Sequence, residues 1–405
     1  MPRPSRRIHR RRASVDATIP NHRNPGMPSM SPVPAPPRSV FTADACACPR
    51  DTHKRASQAW AARRLATLLG WEFAGAHDPR SPPAQPGRAY FVPDETLTTA
   101  QADALGIAGE NDLFGGVVPH AFIASKVITH ALPGPGSAAP EGWAHALGAH
   151  LAGAVLPGFS VFDPDEVEAA GLRLLALGGQ VRLKPAQARG GGGQQLVADP
   201  QALREAAASL DPDAVRRYGL VLEQHLDQAD TVSVGQIRVA GLRLAYLGRQ
   251  HQIRDRQGEE VYGGSSLRVV RGGLEALQDH ARDATERTAL RQVLAYDAAV
   301  QAAYPGFYAS RRNYDVVAGL DPSGRWRCGV LEQSWRLGGA SPAELAALEV
   351  FLAGDDGQPL DVSCHESHDP EQAPPPGAQV HFHDPAAVRG PVLKYALVDP
   401  VPVLS

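Results

Sequence analysis

Apolar residues recur with two different periods along this chain, and the switches between them mark its elements. Residues 56–69 carry Trp60, Ala61, Leu65 and Leu68 at helical spacing. Residues 88–92 then read as a strand, 98–105 as a second helix and 113–118 as another strand, an alternation that predicts a small α/β layer. A helix is predicted over 167–177, feeding a strand at 180–185, and another helix over 200–210. Residues 220–226 form an apolar run with a polar exit, and residues 230–237 alternate in the manner of a half-buried strand. Segments 232–239 and 242–248, joined at Ala240-Gly241, predict a hairpin. Residues 274–303 are helical in pattern throughout, and 342–352 form a closing helix. Beyond Ala353, where Pro374-Pro375-Pro376 breaks any period, a loop-rich flap with one final strand at 393–398 is expected.

One strand-like segment carries chemistry. In Val330-Leu331-Glu332-Gln333-Ser334-Trp335-Arg336-Leu337-Gly338-Gly339 an acid, a hydroxyl and an arginine occupy every second position. Alternate residues share a face of a strand, so Glu332, Ser334 and Arg336 point one way and Trp335 points the other, into a core. Upstream, residues 313–319 read as a second strand, and Asp321-Pro322-Ser323-Gly324 has turn composition. A hairpin centred near Ser323-Gly324 sets Asp315 opposite Glu332, with Cβ atoms roughly 5 Å apart. Two carboxylates that close repel unless a cation lies between them, and oxygen ligands of this kind suit Mg²⁺ carrying a nucleotide phosphate. Arg311 and Arg312 precede Asp315, and a guanidinium there can bind carboxylate or phosphate in bidentate fashion. Arg312 is taken as the second catalytic arginine, although strict alternation sends it, with Tyr314, to the face opposite Asp315.

Residues 180–185 end in Lys184-Pro185, and Gly190-Gly191-Gly192-Gly193 follows before the next apolar run. Four glycines let a backbone close over phosphates with its N–H groups inward, and the lysine adds a mobile point charge. This is neither the Gly-Lys-Ser/Thr phosphate loop nor the dinucleotide fingerprint.

Taken in order, Lys184, the glycine run, Glu223, Asp230, Asp315, Glu332 and Arg336 resemble the motifs of the ATP-grasp superfamily of ATP-dependent ligases over about residues 120–350. The resemblance implies an α+β fold: a small N-terminal α/β domain followed by a two-lobed ATP-grasp domain with antiparallel sheets. It implies ATP and Mg²⁺ as cofactors, with Mn²⁺ as a substitute. Lys126 looks like the first phosphate lysine and Lys184 like the second, with Gly190 to Gly193 as the lid. Glu223 and the backbone near Leu226 look like the adenine hinge, and Asp230 like the acid that accepts the ribose hydroxyls. Asp315 and Glu332 look like the magnesium carboxylates, and Arg336 like the arginine that steadies the transferred phosphoryl group. One departure stands out: the third metal position is usually asparagine in that superfamily, and here it is Ser334, a shorter and weaker oxygen ligand. The implied activity joins a small-molecule carboxylate, activated as an acyl phosphate, to an amine or other nucleophile. The alternatives are a catalytically silent nucleotide-binding regulator, and a biotin-carboxylase-like enzyme, for which no carrier segment is present.

Several segments, among them residues 111–120, Tyr262-Gly263-Gly264-Ser265-Ser266 and residues 310–315, also resemble a proteobacterial family of unknown function. The Gly263 to Ser266 stretch reads equally as a substrate loop or a hairpin turn.

Composition agrees with a cytoplasmic enzyme. At 405 residues, with 43% hydrophobic and 20% charged, the chain is expected to hold two or three domains. The formal net charge of −3 argues against a nucleic-acid surface on the folded part, and no apolar run is long enough for a membrane span. Cys46, Cys48, Cys328 and Cys364 form no evident disulfide framework. Arginines cluster in the first twelve residues, ahead of a Pro- and Ser-rich stretch that cannot bury enough apolar surface to fold. The expected organisation is a basic tail over 1–45, an α/β domain over 46–120, and an ATP-grasp domain over 121–352. That domain divides into a small lobe at about 160–228 and a large lobe at about 229–352, and the flap occupies 353–405. A homodimer is compatible with this organisation. His365, His368, His381 and His383 have spacings that can gather imidazoles, but the proline content and the single Cys364 favour a plain flap.

Overall fold

A computed structural model describes residues 38–45, 52–187, 193–354 and 357–399. Residues 1–37 of the tail expected over 1–45, with Cys46, Cys48 and Gly190 to Gly192, therefore lie outside the described residues, whereas Ser39–Ala43 of that expected tail form a strand with Val40 and Ala43 buried. The first layer is a parallel sheet of β1 (Ser39–Ala43), β2 (Glu72–Ala76) and β3 (Ala89–Pro93), with β1 in the middle. The helix Thr52–Leu69 makes the β1 to β2 crossover that parallel pairing requires, and its Ala61, Ala62 and Leu65 pack on Val40, Tyr90 and Val92. Two short strands, β4 (Leu97–Thr98) and β5 (Gly116–Val118), pair in parallel. Here β5 also takes β13 (Tyr308–Ala309) from the second half of the chain.

A four-stranded sheet follows, from β6 (Gly158–Val161), β7 (Val181–Pro185), β8 (Gln195–Val197) and β9 (Leu220–Gln224), in the order β6-β9-β7-β8. Helices Val167–Leu175, Pro200–Ser209 and Pro212–Tyr218 accompany it. Its own core includes Val161, Leu174, Leu183, Leu203 and Leu222. Asp199 caps the second helix, accepting from the backbone of Gln201 and Ala202.

The large sheet is antiparallel and eight-stranded. It contains β10 (Asp227–Val239), β11 (Leu242–Arg254), β12 (Glu260–Arg271), β14 (Arg311–Leu320) and β15 (Trp326–Ser334). Three further strands, β16 (Leu360–Ser367), β17 (Gln379–His383) and β18 (Leu393–Val398), complete the order β15-β14-β10-β11-β12-β16-β18-β17. The helix Ala284–Ala303 packs on one face through Val232, Val234, Tyr314, Val316 and Val330. The helix Ser341–Ala353 packs on the other through Ile237, Val239, Leu244, Leu267 and Val269. The β10–β11 hairpin turns at Ala240 and Gly241, both with positive φ (52° and 78°), the backbone of a two-residue type I′ turn.

Three expectations change. Tyr262 to Ser266 is neither loop nor turn but the middle of β12. The long helix expected over 274–303 is a 3₁₀ turn, Leu274–His280, and a separate α-helix that starts where the Asp283 side chain accepts from Glu286 N at 2.8 Å. The expected loop-rich flap supplies three strands of the large sheet. Leu360, Val362 and Cys364 alternate inward along β16, which pairs with β12, while the prolines fall in the connection to β17.

Candidate active site

Asp315 and Glu332 face each other across the β14–β15 ladder, and a bulge puts them there. From Leu320↔Trp326 to Val316↔Val330 the pairing is regular, and the next partners are Asp315↔Glu332, leaving Leu331 as the extra residue. A bulge sets two consecutive side chains against one partner. Leu331 accordingly joins an apolar cluster with Leu156, Leu226 and Val317, while Glu332 meets Asp315. Without the bulge Leu331 would oppose Asp315. Beyond it, Ser334 pairs with Asn313.

Each carboxylate is held. Lys126 Nζ, almost wholly buried, lies 2.9 Å from Glu332 Oε2. Asp315 Oδ1 accepts from Gln250 Nε2 at 2.7 Å, Asn313 Nδ2 at 3.0 Å and Ser233 Oγ at 3.2 Å. Burial first, and repulsion from Glu332 second, raise the Asp315 carboxyl above its ordinary pKa, against these hydrogen bonds. Two opposed carboxylates whose charges disfavour each other, beside a serine hydroxyl, form a hard oxygen set that fits Mg²⁺. Among the described residues no three His, Cys, Asp or Glu side chains group as a metal site, so further oxygens must come from elsewhere, as phosphates would supply them.

Arg311, on the same face as Asp315, fixes the backbone of the next residues. Its guanidinium donates to Glu344 through Nε at 2.8 Å and Nη2 at 2.7 Å, and through Nη1 to the carbonyls of Ser334 at 3.1 Å and Arg336 at 2.5 Å. The Arg311 and Glu344 side chains are 1% and 0% exposed, so removing one partner strands a buried charge. Arg311→Met is expected to lower stability by about 3 to 5 kcal/mol, read as a shift of the urea unfolding midpoint at unchanged slope. Arg336 reaches toward the first layer, with Nε 3.4 Å from Glu95 Oε2.

In the small sheet, Lys184 on β7 and Glu223 on β9 form a buried pair, Nζ to Oε1 at 2.5 Å. His130 Nε2 lies 3.0 Å from the other Glu223 oxygen. Burial opposes the Glu223 charge, but Lys184 and His130 outweigh it and bring its pKa down to about 2. Glu223 lies three residues before Leu226, and Leu226 belongs to the apolar cluster that ends at Leu331. Through Leu226 and Leu331 the cluster links the segment that follows β9 to the ladder that carries the Asp315–Glu332 pair. An apolar floor with cations and carboxylates beyond its two ends matches a nucleotide: base over the floor, phosphates at the charged groups.

Two of the expected site residues are carried away from this face. Asp230 pairs with Ala318, three residues before the Asp315 partner Ser233 and so of opposite parity, and its side chain lies on the side of Ala284–Ala303. There it forms an ion pair with Arg249, which also binds Asp283 at 2.8 Å. Arg312 likewise follows the alternation, binding Asp297 at 3.1 Å beside Tyr314, which donates to the same carboxylate. Neither reaches the carboxylate pair, and the ribose and second-arginine roles expected for them do not fit. Sequence reading considered Arg311 but gave the catalytic role to Arg312, and it missed Gln250, Ser233 and His130. Alternation from Asp315 points to Arg311, whereas Gln250 and His130 come from segments whose proximity only the fold reveals.

The fold resembles solved structures over nearly the whole chain. N5-carboxyaminoimidazole synthetase from Staphylococcus aureus superposes with a TM-score of 0.51 at 12% identity, covering 89% of this chain and 93% of that one. The same enzyme complexed with ADP gives 0.50 at 10% identity, covering 90% and 94%. The biotin carboxylase domain of Hydrogenobacter thermophilus 2-oxoglutarate carboxylase, in complex with MgADP, ADP and bicarbonate, gives 0.52 at 13% identity, covering 90% and 86%. The chain has the ATP-grasp fold, with antiparallel sheets in an α/β framework, as the motif order implied. Within it, the chain belongs to the family described as Protein of unknown function (DUF3182), whose model matches residues 42–396. None of the curated proteins matches the sequence. No described helix is long and apolar enough to cross a membrane.

Proposed function

We propose that this protein is an ATP-dependent ligase that activates a small carboxylate as an acyl phosphate for attack by an amine or another nucleophile. The observation that carries this reading is the opposed Asp315–Glu332 pair with Lys126 at 2.9 Å, together with the apolar floor and the buried Lys184–Glu223 pair. The adenine lies over Leu156, Leu226, Val317 and Leu331, and Lys126 offsets phosphate charge beside Glu332. Asp315 and Glu332 hold Mg²⁺, which, when bound, offsets the charge that gathers on the phosphate oxygens. Arg336, at the edge toward the first layer, orients the substrate carboxylate for attack at the γ-phosphorus. The carboxylate oxygen forms the new P–O bond as the bond to ADP breaks. The nucleophile then forms its bond to the acyl carbon as phosphate leaves with the electron pair of the C–O bond, and a proton is lost from the amine. The protein forms no covalent intermediate; it positions and neutralises.

A second reading, a silent nucleotide-binding regulator, draws on Ser334. ADP release measured across a panel of carboxylates, bicarbonate included, each with and without amines, separates the two. Release that depends on a carboxylate supports the ligase. ATP binding without release in any mixture supports the regulator.

A further inference from the structure

Asp315 does not present both of its oxygens. Three donors from three strands converge on Oδ1: Gln250 from β11 at 2.7 Å, Asn313 from β14 itself at 3.0 Å and Ser233 from β10 at 3.2 Å. A carboxylate oxygen has about two lone-pair directions, so an oxygen with three donors has none left for a cation. Among the described residues no side chain donates to Oδ2. Gln250 also donates to Ser233 Oγ at 3.0 Å, which ties two of the three donors together. Asn313, the cross-strand partner of Ser334, carries an amide, and both ends of it are engaged. Its nitrogen donates to Asp315, and its oxygen accepts from Tyr246 Oη at 2.8 Å. Glu332 in turn has one oxygen on Lys126.

We infer that Gln250, with Ser233, is a positioning residue that fixes Asp315 as a one-oxygen ligand, and that the site holds a single divalent cation between Asp315 Oδ2 and Glu332. This rests on the nucleotide reading above and makes it more specific. Two cations bridged by this pair would need the second Asp315 oxygen or an amide at position 334. The hydrogen bonds remove the first, and Ser334 leaves only a hydroxyl in place of the second.

Mn²⁺ serves as the probe, counted by electron paramagnetic resonance on the full-length protein saturated with ADP. One bound Mn²⁺ per chain is expected. Gln250→Met keeps length without a donor, and Ser233→Ala removes one hydroxyl. Each should weaken Mn²⁺ binding about tenfold, the usual effect of removing a group that orients a ligand. ADP affinity measured in EDTA should change less than twofold, which a variant that merely loosened the fold would not show. Two Mn²⁺ per chain, or unchanged Mn²⁺ affinity in both variants, would overturn the inference while leaving the nucleotide site standing. Failure of the wild-type protein to bind ADP at all would overturn the nucleotide reading, and this inference with it.

Discussion

Glu332→Gln is expected to abolish carboxylate-dependent ADP release while leaving the fold intact. The amide keeps the shape of the side chain but removes the charge that faces Asp315 and pairs with Lys126. Glu332 is 32% exposed while Lys126 is 5% exposed, and the glutamine oxygen still accepts from the lysine, so thermal melting should fall only modestly. The loss of turnover should exceed about a hundredfold, the upper range for groups that only orient a metal ligand, because here the ligand itself is removed. The test compares ADP release by the variant and the wild type on any carboxylate that supports the wild type. Normal turnover by the variant would place the chemistry elsewhere in the molecule.

Lys184→Ala acts at the other end of the apolar floor. Glu223 keeps its charge at neutral pH because Lys184 and His130 flank it in a buried setting. Without the lysine the carboxylate is held by one imidazole, and the nucleotide loses a buried cation at that end of the floor. A charge-assisted contact of this kind contributes about 1.5 to 3 kcal/mol, so ATP affinity should fall at least about tenfold in calorimetry. The unfolding midpoint of the variant, measured in parallel, separates weaker binding from a loosened small sheet. An unchanged calorimetric affinity would remove Lys184 from the nucleotide site.

Alternation carried most of what could be read in advance. It placed Glu332, Ser334 and Arg336 on one face and Trp335 in the core, where it is 1% exposed against Phe307. The pairing of Asp315 with Glu332 was also anticipated, but by a different route from the one the molecule takes. A turn centred between Ser323 and Gly324 would give that register directly. The observed ladder is centred on Ser323, and the bulge at Leu331 supplies the missing step. No sequence period announces a bulge, because an apolar residue beside an acid reads equally well as alternation. Asp230 was placed by motif order and Arg312 by its nearness to Asp315, and in both cases the strand face decided otherwise. After Ala353 only the last strand, at 393–398, was legible; β16 and β17 were hidden by composition, since a proline-rich connection masked the alternation of residues 360–367. Gln250, Ser233 and His130 meet their partners only through long-range pairing, and a single sequence gives no means of predicting those meetings.

The large sheet also fixes an order of events during synthesis. β12 ends at Arg271 and its second neighbour, β16, begins at Leu360, while β18 sits between β16 and β17. As the ribosome advances, the free edge of β12 waits through the making of β14, β15 and the helix Ser341–Ala353 before a strand can cover it. At about 5 to 20 residues per second, that wait lasts from roughly four to roughly twenty seconds. β17 waits only briefly, because β18, the strand it pairs with, begins at Leu393, soon after β17 ends at His383. For that interval the nascent chain displays an unpaired strand edge, the kind of surface that recruits chaperones or pairs with a neighbouring chain on the same message.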